Sequence, residues 1–215
     1  MILFKYYLNN NIRMYLFIDT ETNGLPNMTN MRYGDYPLYT NINKYDTARV
    51  IQLSFMLCDD NLNEIEMHDY IIKRENFEIT NYEFHNITNE ISDNGKKFDE
   101  TFDILLDTLK KCKYIVAHNI NFDINVIRSE FYRRNKLDYI TEINKYEQIC
   151  TVKKFKSIVK ARNRYNKIKD PSLKELYHFA FNKDIEHAHN SKYDVINLHK
   201  AVKYYFDNDI IKELK

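Results

Sequence analysis

Cysteine is scarce in this chain of 215 residues: Cys58, Cys112 and Cys150 stand far apart and are odd in number. No disulfide framework is expected from such a set, and no Cys/His spacing resembles a zinc site. A reducing, intracellular setting is the default expectation. Long apolar runs are missing too. Nothing approaches the roughly 18 consecutive apolar residues of a membrane span, so no membrane partner is expected. The start, Met1-Ile2-Leu3-Phe4, is interrupted by Lys5 and then by Asn9-Asn10-Asn11, which makes a poor signal peptide. A dominant charge sign is absent as well. With 32 basic and 31 acidic side chains the net charge is +1, which excludes a globally basic protein. The distribution is nonetheless uneven. Between Thr151 and Lys169 lie eight basic residues (Lys153, Lys154, Lys156, Lys160, Arg162, Arg164, Lys167, Lys169) and no acid. Such a patch suits a polyanion; a solvated helix face or a mobile loop would have the same composition.

What is present is the patterning of one α/β domain, and the length allows one sizeable core. Residues 1–14 read as an N-terminal extension, apolar and then Asn-rich, and residues 15–215 as a single domain. Within it an insertion at about 27–47 carries Gly34, Pro37, Tyr33, Tyr36, Tyr39 and Tyr45 without clean periodicity. A loop of that length tends to be a functional flap, and its tyrosines could stack on bases or simply pack it onto its own domain. Val50–Cys58 and 64–72 predict the two strands of a hairpin. Phe98, Phe102, Leu105, Leu109 and Cys112 recur at helical spacing. Tyr114–Ala117 is a short apolar strand, followed by a helix with Phe122, Val126, Ile127 and Phe131 on one side. Asp170-Pro171-Ser172 starts another helix, and a last one is predicted from about Tyr193 to Phe206. This order predicts a mixed sheet.

The chemistry concentrates at ends of these elements. Tyr15 to Ile18 is an unbroken apolar run, the mark of a strand buried on both faces. It ends in Asp19-Thr20-Glu21, and on a strand that spacing puts both carboxylates on the same face. Two like charges there repel unless something positive sits between them. Oxygen-only ligands favour magnesium or manganese. Asp123 and Asp194 each lie at a helix start, where capping and dipole effects alone favour an acid. All four acids sit at ends of core elements, where α/β sheets build their sites. His189 lies five residues before Asp194, and an ordinary imidazole suits a general base.

Asp19-x-Glu21, then His118-Asn119-x-x-Phe122-Asp123, then His189 and Asp194 resemble the three exonuclease motifs of the DnaQ-like 3′–5′ exonucleases, in their histidine-type DEDD branch. The tyrosine-type branch would place Tyr where Asn190 stands. The resemblance runs from Tyr15 to nearly the end of the chain, including Ala48-Arg49-Val50-Ile51-Gln52, Phe84-His85-Asn86-Ile87-Thr88 and Pro171-Ser172-Leu173. Asn23 stands where many relatives have Thr, and Asn86 where many have Gly. The resemblance implies a ribonuclease H-like sheet of five strands with helices on both faces. It implies two divalent ions, Mg2+ or Mn2+, held by Asp19, Glu21, Asp123 and Asp194, with Asp19 bridging both and Asp123 reaching one mainly through water. His189 would take the proton of the attacking water. Glu21 and backbone near Thr22 would hold the terminal 3′-hydroxyl, Leu25 would wedge against the last bases, and Phe84, His85 and Asn119 would complete the substrate contacts. The implied activity is release of nucleoside monophosphates from single-stranded or frayed DNA 3′ ends. The alternatives are 3′-end trimming of RNA and a non-catalytic nucleic-acid-binding module; a DNA polymerase partner is an association the family allows.

Overall fold

The computed structural model describes residues 14–187 and 189–214. The expected extension lies, up to residue 13, outside the described residues; Met14 is buried in the core. The elements run β1 (Tyr15–Thr22), β2 (Val50–Cys58), β3 (Glu64–Ile71), α1 (Tyr82–His85), α2 (Asn89–Asp93) and α3 (Phe98–Leu109). They continue with β4 (Tyr114–Ala117), α4 (Ile120–Arg133), α5 (Leu137–Ile143), β5 (Glu147–Cys150), α6 (Thr151–Val159), α7 (Leu173–Phe181) and α8 (Ser191–Asp207). The five strands order as β3-β2-β1-β4-β5. β1 pairs antiparallel with β2, which pairs antiparallel with β3, while β1–β4 and β4–β5 are parallel. β1 is therefore the central strand.

Its alternation divides the core. Leu16 and Ile18 join one apolar cluster with Phe102 and Leu105 of α3, Val126, Ile127 and Phe131 of α4, and Ile140 of α5. Tyr15 and Phe17 join the other with Phe155 of α6, Leu176 of α7, and Val195, Leu198 and Val202 of α8. A period of two thus feeds two helical layers, one on each face of the sheet.

Several elements were not legible by periodicity, β5 and α5 among them. β5 is a four-residue strand at the sheet edge in which only Ile149 is buried, and α5 is a seven-residue helix. Neither is long enough to show a pattern. The segment 27–47 holds a 3-10 turn at Ile42–Tyr45 and packs on α4. Arg133 binds the Ile42 carbonyl and Asp46, and Tyr39 meets Tyr132 edge-on. The buried Tyr45 donates to the Pro37 carbonyl at 2.6 Å. These tyrosines pack the segment onto its own domain; Tyr33 is 92 % exposed and meets the domain through its hydroxyl, which donates to Asp170 Oδ2 at 3.3 Å.

A buried ionic knot joins β2 to α4. Arg49 donates from Nε to Glu130 Oε1 at 2.6 Å, the Val50 amide reaches the same oxygen, and Arg134 binds the other. Burial alone would raise the Glu130 carboxyl, but Arg49 and Arg134 outweigh it and hold it below the ordinary range. Its stabilising contribution is therefore present above the ordinary carboxyl pKa and is lost as pH falls through the lowered folded value. Glu130→Ala should cost about 3–5 kcal/mol, because it strands a buried guanidinium. Glu75→Ala, removing an exposed partner of Arg134, should cost under about 1 kcal/mol. Urea denaturation of both variants checks the contrast, and equal losses would contradict it.

Candidate active site

The acids converge because β1 presents alternate residues to the two helical layers. Asp19 and Glu21 continue the face of Tyr15 and Phe17, which is the face covered by α8. One carboxylate oxygen each from Asp19, Glu21 and Asp194 lie within 4.8 Å of one another. Thr20 points the other way, toward α4. Its amide and its hydroxyl both donate to Asp123 Oδ1, at 3.0 and 2.9 Å. Asp123 is buried, and its second oxygen is not engaged by Thr20.

The electrostatics follow from this crowding. Burial raises Asp19 well above the usual carboxyl range, and Asp123, Asp194 and Glu21 each push it further. Glu21 is raised to about 8 by burial and then by Asp194 and Asp123. Asp123 rises to about 7 through burial, although the two bonds from Thr20 pull it back. Asp194 rises to about 6, again by burial, moderated by the His189 amide and by the charges of His189 and Lys174. Such a cluster is fully ionised at neutral pH only beside a cation.

The donor set fits a metal ion. Asp194 Oδ1 is buried and has no hydrogen-bond partner among the described residues. A buried acceptor left unmatched is costly, and here it belongs to the same group of oxygens. Oxygen-only donors select hard divalent cations.

His189 is exposed, and its backbone N–H donates to Asp194 Oδ2 at 3.3 Å. His187, the other histidine of this segment, lies with its ring 4.5 Å from that of Tyr193. His118, from the second motif, is neutral and structural: burial lowers it to about 4, and its nitrogens meet Thr151 Oγ1 and the Pro171 carbonyl.

The expected substrate residues fall into two groups. Leu25 and Phe84 are 72 % and 65 % exposed, so both side chains are open to solvent. Thr22, His85 and Asn119 are engaged within the protein. Thr22 Oγ1 donates to the Gly24 carbonyl at 2.7 Å, shaping the turn that carries Leu25. His85 is buried, accepting the Ile87 amide at Nδ1 and facing Asn81 through Nε2. Asn119 donates to the Tyr36 hydroxyl at 2.8 Å, which ties the 27–47 segment to the second motif. Asn23 bridges to the Phe84 side of the site, donating to the Glu78 carbonyl and accepting the Thr80 amide.

A supporting network escaped the sequence reading. Gln52 and Ser54 of β2 stand opposite Glu21 and Asp19 in the antiparallel register. Ser54 Oγ lies 2.7 Å from Ser191 Oγ, and Gln52 reaches both Asn190 and the Ser191 amide at 3.4 Å. Both also donate to Asp69 of β3. This network seats the first turn of α8, and with it Asp194. The available signal was two polar residues at a spacing of two inside the otherwise apolar run Val50–Cys58, since buried polar groups require partners.

Comparisons with known proteins bear on this arrangement. The Exonuclease family model, RNase_T, matches residues 16–202. No curated protein matches the sequence. Among solved structures, E. coli exonuclease I in complex with a dT13 oligonucleotide superimposes with a TM-score of 0.69 at 18 % identity, over 90 % of this chain and 41 % of that one. The same enzyme with a dA16 oligonucleotide gives 0.67 at 18 % identity, over 91 % and 41 %. The zinc-bound form of the E. coli enzyme with single-stranded DNA gives 0.65 at 18 % identity, over 92 % and 41 %. The chain thus spans about two fifths of the length of these structures and shares their ribonuclease H-like exonuclease fold. A family match extending over nearly all the described elements, and over Asp19, Glu21, Asp123, His189 and Asp194, completes the argument: the chain belongs to the DnaQ-like 3′–5′ exonuclease family.

Proposed function

We propose that this chain removes nucleoside monophosphates from the 3′ ends of single-stranded or frayed DNA. The convergence of Asp19, Glu21 and Asp194 oxygens within 4.8 Å, beside buried Asp123, carries the reading. Asp19, Glu21, Asp123 and Asp194 would hold two divalent cations, magnesium or manganese, Asp123 mainly through water. Ions bound there would neutralise the acids, supply an activated water and stabilise the leaving oxygen. Solved relatives that hold single-stranded DNA support the choice of substrate.

The chain's own groups do the rest. His189 takes the proton of the attacking water, its backbone held by Asp194 so that the ring can reach over the acids. Glu21 and the backbone at Thr22 hold the terminal 3′-hydroxyl, which restricts attack to chain ends. Exposed Leu25 and Phe84 lie against the last bases, and His85 fixes the short helix that presents Phe84. Asn119 acts through the Tyr36 bond at the far side of the site.

Asp19→Asn should abolish metal-dependent digestion while stabilising the metal-free protein, because it removes one of the mutually repelling carboxylates. Substantial residual digestion would refute the ligand assignment. The decisive assay digests matched 5′-labelled DNA and RNA oligonucleotides with magnesium, manganese or chelator. It is expected to show metal-dependent shortening of DNA from the 3′ end; faster RNA shortening would make the enzyme an exoribonuclease.

His189→Ala should lower kcat by about 10²–10⁴, with little change for His187→Ala. The reverse order would transfer the general-base role to His187.

Because the acids are raised in the folded state, their contribution to stability is full below about pH 4 and declines as pH climbs through about 6, 7 and 8. Divalent metal should therefore raise Tm more at pH 8 than at pH 6, where protons compete for the same oxygens. A metal-induced shift that does not grow over this range would count against metal binding by these four groups.

A further inference from the structure

The basic segment 151–169 is ordered. After α6 the chain forms a small hairpin closed by an antiparallel bridge between Arg162 and Ile168, with the Lys169 amide bonded to the Ala161 carbonyl at 2.8 Å. Asn163 Oδ1 accepts the amides of Tyr165 and Lys167, at 2.9 and 3.0 Å, and Arg162 donates to the Asn166 carbonyl. At the tip Tyr165 is 67 % exposed, with the Arg164 guanidinium 4.7 Å over its ring.

Six of the eight basic residues of this segment fall into two groups. Lys156 and Lys169 are paired with Asp170 and Glu175. Lys160, Arg162, Arg164 and Lys167 form no ion pair with any described residue. The hairpin base also opens on a cavity beside the turn that carries Leu25. This cavity of about 560 Å³ has a lining that runs from Leu25, Tyr33 and Asn119 to Lys169 and Asp170 at the hairpin base. Uncompensated cations with an exposed aromatic ring are the two components of a single-strand binding surface, charge for the backbone and a face for a base.

We propose that this hairpin is an auxiliary binding site for the single strand upstream of the scissile nucleotide. Lys160, Arg164 and Lys167 contact phosphates, and Tyr165 stacks on a base. The strand reaches it from the acids past Leu25 and along the Tyr33 cavity. This rests on the nuclease reading above and extends it, since a dinucleotide would occupy the acidic end and never reach the hairpin.

The test uses the triple variant Lys160→Gln, Arg164→Gln, Lys167→Gln, which keeps Arg162 and its bond to the turn, and separately Tyr165→Ala. Fluorescence anisotropy in calcium measures binding of a roughly 20-nucleotide strand, DNA and RNA in parallel arms, and a second measurement follows hydrolysis of a dinucleotide. The triple variant is expected to raise Kd for the long strand at least tenfold and to reduce the log–log salt slope by about 2, at roughly 0.7 per phosphate contact. Tyr165→Ala should raise Kd about tenfold. Dinucleotide hydrolysis should match that of the unaltered chain. Unchanged Kd and salt slope would overturn the proposal, as would an equal loss on the dinucleotide. Failure of the unaltered chain to hydrolyse any substrate would overturn the nuclease reading instead, and the anisotropy arm would still decide the hairpin.

Discussion

The structure is arranged around a repulsion. Asp19 and Glu21 sit on the central strand of the sheet, and Asp194 is brought against them from α8. Each of these carboxyls is pushed up by burial, and Asp19 and Glu21 are pushed further by their acidic neighbours. A fold organised only for stability would not gather them. Holding them together requires a rigid frame on both sides of β1, and the two apolar layers supply it. Hydrophobic burial at roughly 25 cal/mol per Å² over so many side chains is large enough to tolerate a few kcal/mol of unfavourable electrostatics at one end of the sheet.

The frame is specific about where each acid lies. The alternation of β1 sends Asp19 and Glu21 to the α8 layer and Thr20 to the α4 layer, where Thr20 makes two bonds to one oxygen of Asp123. That pairing makes this acid differ from the other three. On the opposite flank, Gln52 and Ser54 hold the first turn of α8. Two adjacent strands therefore position acids from two helices. The Arg49–Glu130 knot fixes β2 against α4. Polar contacts thus tie both helices to the sheet in addition to the apolar packing.

Much of this was legible in the chain. The apolar run Tyr15–Ile18 ending in Asp19-x-Glu21 signalled a buried strand with two acids on one face, and that is what β1 is. The strand 50–58 and the helices beginning near Phe98 and after Ser172 were readable because their apolar positions repeat over several turns or pleats. Asp123 and Asp194 were harder. Each has an ordinary explanation as a helix-start acid, and only the joint pattern distinguished them. The fifth strand was not legible from its own residues: Glu147-Gln148-Ile149-Cys150 buries a single side chain and derives its place from pairing with β4. The Gln52–Ser54 network was invisible for a related reason, since its partners lie far away in sequence and become neighbours only once the sheet and α8 have met.

Loop geometry shows how a chain with only three glycines manages its turns. Positive φ is taken mainly by asparagine, at positions 30, 76, 86, 119, 135, 166 and 182. Asparagine tolerates the left-handed region better than other residues with a side chain, because its short amide can bond locally. This accounts for Asn86, which ends α1 at φ 60 where many relatives have glycine. It also bears on the site itself. Of the two residues between β4 and α4, Asn119, at φ 68, takes the left-handed turn that starts the helix at once. The helix then places Asp123 within its first turn, against Thr20. A glycine there could adopt the same angle, but it would lack the amide that holds Tyr36 and with it the 27–47 segment. One residue thus sets both the entry of the fourth acid and the attachment of the segment beside it.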